Sequence, residues 1–283
     1  MGISTGKGRN GMDCVQIRNA HGDAAEVYLN GGHVTSWVVD GDEKLFLGSR
    51  AAFAKGESIR GGIPVVFPQF ADQGPLPAHG FARTSQWSLG SSDDSENGVS
   101  VTLRLDDNAE TRKLWPWNFE LDLTVTLNVR TLRVELTVRN TGAGSFDFTA
   151  ALHTYLRVSD INTARVTGLR GCRYLDKTRG KQEMTDGSSG LAIREETDRV
   201  YLDAPASLML RDAQRSPLRV ESRGFRDAVV WNPWRDKVKT FSGMAEDDYR
   251  RMICVEAAQV GDPVVLNAAE SWSGSQTLTV GAE

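Results

Sequence analysis

The chain has 283 residues, 40% apolar and 25% charged, enough to build a sizeable globular core in one or two domains. Its formal net charge of -4 supplies no general attraction to nucleic acid or to an anionic membrane, so neither is expected as a partner. Cys14, Cys172 and Cys254 are too few and too scattered for a disulfide framework, and no apolar run approaches the roughly 20 residues of a membrane span, so a cytoplasmic protein is expected.

Residues 1–12 carry no apolar core of a secretory signal and no periodic pattern, and are expected to be disordered. Within them Gly6-Lys7-Gly8-Arg9-Asn10-Gly11 matches a dinucleotide-binding fingerprint by letter, but with no strand before it and no helix after it that reading fails. Asp40-Gly41-Asp42 reads as a turn, and so do Glu96-Asn97-Gly98 and Asn140-Thr141-Gly142. Between and after these, apolar residues recur every second position. Val99, Val101, Leu103 and Leu105 form one run, and Leu121, Leu123, Val125, Leu127 and Val129 a second. Leu132, Val134, Leu136 and Val138 form a third, and Phe146, Phe148, Ala150 and Leu152 a fourth. Such alternation puts one face of each strand into a core. Helices are scarce: one turn over Ala109–Leu114 and at most two over residues 245–251. Residues 180–190, GKQEMTDGSSG, read as a loop and not as a domain boundary. The fold class is all-β, with residues 13–283 forming one large antiparallel sandwich.

Ionisable residues in unusual settings carry the chemistry. Residues 59–83 hold Arg60, His79 and Arg83 among glycines and prolines, suited to a rigid anion site. A guanidinium matches phosphate oxygens in a fork geometry, although any single arginine can equally be a surface residue. His79 can reach a sugar hydroxyl or staple its own loop. His153 falls on the strand face opposite Phe146, Phe148, Ala150 and Leu152, together with Thr149, Ala151 and Tyr155, provided that no bulge intervenes. It is then a groove residue, or else a hydrogen-bonded histidine near the surface. Glu256 lies in the apolar run MICVEAA, where a carboxylate is costly unless it is paired, with Arg251 or Arg235 for example, or functional. No CxxC or HExxH spacing supports a metal site, and no cofactor is expected.

Taken together, the blocks RGGIPVVFPQF (60–70), HGFAR (79–83), LHTY (152–155), DRVY (198–201), VVWNPW (229–234) and CVEA (254–257) resemble the glucose-6-phosphate 1-epimerases of the aldose 1-epimerase family. The resemblance runs in register from about Cys14 to about Val280. It implies a galactose-mutarotase-like β-supersandwich that interconverts the α and β anomers of a hexose 6-phosphate; no cofactor is required by that chemistry, and a monomer is expected. It further implies His153 and Glu256 as catalytic residues, Arg60 and Arg83 as phosphate and sugar contacts, Asp198 as a sugar-binding aspartate and His79 near the sugar. One departure stands out: some members carry glutamine before this histidine, where this chain has Ala78. Two further readings remain open, a mutarotase of unphosphorylated aldoses and a non-catalytic sugar-phosphate-binding module.

Overall fold

The structure, a computed structural model, describes residues 2–95 and 98–281. Three sheets, all of antiparallel strand pairs, make up the fold. The first takes five strands in chain order: Gly2–Lys7, Asp13–Arg18, Ala24–Tyr28, His33–Val39 and Asp42–Glu43. The second has nine, running Leu191–Ala192, Arg165–Thr167, Ser207–Asp212, Arg215–Arg223, Ser271–Val280, Thr131–Asn140, Phe119–Asn128, Gly98–Asp106 and Ser88–Ser95. The third has eight, with Gln182–Thr185, Arg173–Asp176, Thr197–Tyr201, Asp227–Asn232, Met252–Leu266, Phe146–Leu152 and Val65–Val66 in order, and Tyr155–Arg157 paired onto Met252–Leu266.

Alternation explains how the sheets stack. In the nine-stranded sheet, registers line Val101 on Val125 on Val134 and Leu103 on Leu123 on Leu136, and all six are buried. Each such side chain is worth roughly 1.5–3 kcal/mol by leaving water. Facing them across the main core are Phe146, Phe148, Ala150 and Leu152, with Ile253, Val255 and Ala257 beside them. The other face of the eight-stranded sheet carries a separate apolar cluster, containing Ala151, Tyr155, Val200, Val229, Trp231 and Cys254. That face holds the candidate site.

Several sequence expectations need correcting. The N-terminal segment is not disordered, because Gly2–Lys7 pairs along its length with Asp13–Arg18. Most of its side chains are exposed, so its sequence shows no alternation to betray a strand. The glycine-rich letters at 6–11 therefore do follow a strand, but they turn a hairpin through Arg9–Gly11 and open no α-helix. Within the polar stretch 180–190, Gln182–Thr185 forms a mostly exposed edge strand, invisible for the same reason. Val129 lies beyond its strand, half exposed, where Arg130 turns through a positive φ of 54°. The short helix Ala109–Leu114 is present and capped by Asn108, whereas residues 245–251 contribute only the 3-10 turn Asp248–Arg251. The turn expected at Glu96-Asn97-Gly98 falls, apart from Gly98, outside the described residues.

A buried histidine in the first sheet makes the fold acid-sensitive. The ring of His33 is fully enclosed, with Nε2 donating to the Gly61 carbonyl at 2.7 Å, and burial lowers its pKa from 6.5 to about 4. The folded state thus favours neutral imidazole, a stabilisation that is complete above pH 6.5 and is lost as pH falls towards 4. Roughly 3 kcal/mol is at stake by linkage. Urea denaturation from pH 7 to pH 4 is expected to show the midpoint falling, and falling less in His33→Gln, which can keep a bond to Gly61 without titrating.

Candidate active site

Register brings the two central residues together. Leu152 pairs with Ala257 and Tyr155 with Cys254, so His153 and Glu256 are cross-strand neighbours. The irregularity in this strand pair lies between Phe148 and Ala150, where the partner strand runs from Val264 to Gln259. The extra residues therefore sit on the partner, and the parity that places His153 off the core face survives. His153 Nδ1 lies 3.3 Å from Glu256 Oε1, not aligned as a hydrogen bond, and both His153 Nδ1 and Glu256 Oε2 are buried without a partner among the described residues. Among the described residues Glu256 has no arginine partner, neither Arg251 nor Arg235, and its nearest ionisable neighbour is His153.

Both groups stand in a cavity of about 300 Å3 that also takes in Arg60, Ala78, His79, Arg83, Lys177, Asp198 and Lys237. All six residues singled out in the sequence thus line one space. Its apolar walls are Phe70, Val229, Trp231 and Phe241. The His153 ring stacks on Tyr155 at 4.9 Å and meets Trp231 edge-on at 5.9 Å, which fixes the plane of the imidazole. Asp198 shares a strand with Val200 and pairs across with Trp231, so it projects from the same face.

The loop residues are held from behind. Gly61 and Gly62 follow Arg60 with φ of 108° and 62°, and a Cβ at Gly62 would stand 2.2 Å from the Val34 carbonyl oxygen. Only glycine satisfies both the left-handed backbone and that approach. Gly62→Ala is expected to cost more than about 1 kcal/mol and to displace Arg60, as a lower melting temperature would register. Arg60 Nη1 donates to the Tyr155 hydroxyl at 3.1 Å, and its guanidinium lies 4.5 Å from the centre of the Phe241 ring. Arg83 Nη2 donates to the Ala78 carbonyl at 2.7 Å, while its Nε is buried with no partner. Ala78 thus helps position Arg83 through its backbone, a role that any side chain there would permit. His79 both staples its loop and faces the cavity: its Nδ1 accepts the Ala71 N–H at 3.3 Å, leaving Nε2–H as the donor.

Charge is distributed unevenly. Lys177 pairs with Asp198 at 3.3 Å and Lys237 with Glu196 at 2.6 Å. Arg60 and Arg83 have no carboxylate partner among the described residues. Burial, then Arg83, Lys177 and Arg60, lower the pKa of His79 to about 3, which keeps it neutral. Burial also pushes His153 well below the usual histidine range, helped by His79, Arg83 and Arg60. Glu256 moves well above the usual carboxylate range, because of burial and then Asp198, with Lys177 opposing. The carboxylate–imidazolium pair suggested by the residue types is therefore disfavoured by the protein's own groups, which favour a neutral imidazole and a neutral carboxyl.

Lys177, Lys237 and Phe241 line the site although the sequence did not single them out as ligands or walls, whereas Tyr155 was already placed on the groove face. The two lysines come from short turns and are only two of 33 basic residues, so no periodicity marks them. A larger cavity of about 580 Å3 lies against the first sheet, but its carboxylates Glu26 and Glu43 are already engaged by Gln16, Thr35, Ser36 and backbone N–H groups. The smaller one, with its unpaired ionisable atoms, is the chemically competent site. Cys254 reaches the same neighbourhood, so that one ligand atom from each of His153, Cys254 and Glu256 lies within 4.8 Å of the others. The nearby uncompensated guanidiniums oppose a divalent cation there.

Comparison with known proteins gives a consistent picture. Residues 13–279 match the family model described as aldose 1-epimerase. A Cenchrus ciliaris protein named, provisionally, as a glucose-6-phosphate 1-epimerase is 40% identical over 281 residues, covering 95% of this chain and 85% of that one. An Escherichia coli protein with the same provisional name is 36% identical over 244 residues, covering 84% of this chain and 80% of the relative. The crystal structure of YeaD from Salmonella typhimurium, provisionally a mutarotase, superposes with a TM-score of 0.91 at 30% identity, covering 99% of this chain and 94% of the other. The three-sheet architecture is the galactose-mutarotase-like β-supersandwich, as further solved structures of that description confirm.

Proposed function

The chain belongs to the aldose 1-epimerase family, and from that premise we propose that it interconverts the α and β anomers of glucose 6-phosphate. The observation that carries the phosphate is the pair Arg60 and Arg83, half-buried guanidiniums with no carboxylate partner among the described residues, in one cavity with an acid–base pair. An unphosphorylated sugar would leave that charge unmatched, whereas a phosphate accepts from both forks. The relatives' names agree with this substrate.

With the phosphate at the arginines, the order of atoms in the sugar orients the rest. C6 leads to C5 and then to the ring oxygen, so O5 falls near His153, on the arginine side of the cavity. The C1 hydroxyl then reaches Glu256, and the Lys177–Asp198 pair meets hydroxyls at the far end. Ring opening moves the O1 proton to the Glu256 carboxylate, turns the O–H electron pair into the C1 carbonyl and breaks C1–O5. The released pair on O5 takes a proton from His153. Rotation about C1–C2 and closure on the other face reverse these transfers. Each positioned proton-transfer group is worth roughly 10²–10⁴ in rate. The test is anomer exchange followed by proton NMR for glucose 6-phosphate, glucose and galactose. Faster exchange of glucose 6-phosphate, lost in His153→Ala, is the expected result. Acceleration of the free sugars alone would overturn the phosphate assignment, and ligand shifts without acceleration would overturn catalysis.

A further inference from the structure

His153 must carry a proton to release O5, yet it stands in surroundings that discourage one. It is buried, with its Nδ1 unpartnered, in a cavity shared with two guanidiniums that no carboxylate among the described residues neutralises. His79 lies 5.4 Å away ring to ring, with Nδ1 occupied by the Ala71 N–H, so it contributes no compensating anion. The other groups facing His153 do little to help. Tyr155 and Cys254 are held neutral, by pKa shifts to about 12 and well above 9 respectively, and Asp198 is tied to Lys177. Lys237 adds a cation at the rim, paired with Glu196. What remains is the competition of His153 and Glu256 for a proton across 3.3 Å, and two positive charges that favour Glu256 as its holder.

A phosphate dianion carries the two negative charges that this field lacks. We propose that the substrate's own phosphate is a working part of the proton-transfer machinery: by neutralising Arg60 and Arg83 it lets His153 take the proton from Glu256, leaving the imidazolium and the carboxylate that ring opening requires. The transfer is balanced, since the Glu256 O–H bond breaks, an N–H bond forms at His153 Nδ1 across the 3.3 Å gap, and no further reactant enters. The depressed basicity of His153, due first to burial and then to His79, Arg83 and Arg60, agrees with this geometry. The inference rests on the hexose-phosphate reading and deepens it, because discrimination against free sugars then appears in kcat and not in binding alone.

The experiment separates the two. Glucose anomer exchange is measured at saturating sugar with increasing phosphite dianion, a fragment small enough to share the cavity with glucose. The ¹⁵N resonances of the His153 ring are recorded alongside, in the protein alone, with phosphite and with glucose 6-phosphate. Phosphite is expected to raise kcat for glucose saturably by about tenfold or more, since one unit of pKa changes the imidazolium fraction about tenfold. The His153 signals should pass from neutral to doubly protonated on binding either anion. Rapid exchange of glucose 6-phosphate with no phosphite activation and a His153 ring that stays neutral would overturn this inference alone. No acceleration of glucose 6-phosphate itself would overturn the reading on which it rests.

Discussion

Glu256→Gln is expected to slow glucose 6-phosphate anomer exchange by about 10²–10⁴ while leaving its affinity within about threefold, as NMR exchange and a binding titration would show. The separation follows from the state of the native side chain. Glu256 is 2% exposed, and burial, then Asp198, raises its pKa well above the carboxylate range, which favours a neutral acid that glutamine matches in shape and charge. No arginine loses a partner, and none of the strand's hydrogen bonds changes, so stability should be preserved. What glutamine cannot do is accept the O1 proton. A variant with near-normal turnover would remove Glu256 as the base, and one that turned over slowly because it had unfolded would betray itself by a lowered melting temperature.

The core and the position of His153 were legible because a strand has a fixed period of two. Phe146, Phe148, Ala150 and Leu152 point into the main core, and Ala151 and Tyr155 belong to the opposite face. A count along one strand survives irregularity in its neighbour, which is why the excursion between Gln259 and Val264 did no harm to it. Glu256 stood out for a different reason, as a carboxylate inside an apolar run. Proximity between the two was not legible from spacing, since it depends on the register of two strands distant in sequence. Gly2–Lys7 and Gln182–Thr185 escaped notice because each is a mostly exposed edge strand with one apolar contact to the core, Ile3 or Met184, and a single contact makes no alternation. Lys177 and Lys237 were illegible because a lysine on a short turn gains its meaning only from what lies across the cavity. The protonation state also had to come from the fold. Residue types alone suggest a carboxylate beside an imidazolium, whereas burial disfavours both charges, with Asp198 adding to the effect at Glu256 and His79, Arg83 and Arg60 at His153.

Arg83→Ala is expected to weaken glucose 6-phosphate binding by about 10²-fold, near 3 kcal/mol, while changing the affinity for glucose by less than about twofold. The native guanidinium is held by the Ala78 carbonyl and shares the cavity with a second cation, Arg60; partial burial, then the charge of Arg60, lowers the pKa of Arg83. Two like charges in one buried cavity repel, and that repulsion is relieved when a phosphate bridges them. Removing one arginine therefore deletes a charge-assisted fork and halves the positive charge opposed to the dianion, while relaxing a strain that the protein bears alone. The melting temperature should then hold or rise, even as phosphate affinity falls. Arg83→Lys tests geometry against charge, because an ammonium keeps the charge but not the fork and should recover only part of the affinity. Equal losses for glucose and glucose 6-phosphate in Arg83→Ala would show that Arg83 holds the sugar and not its phosphate.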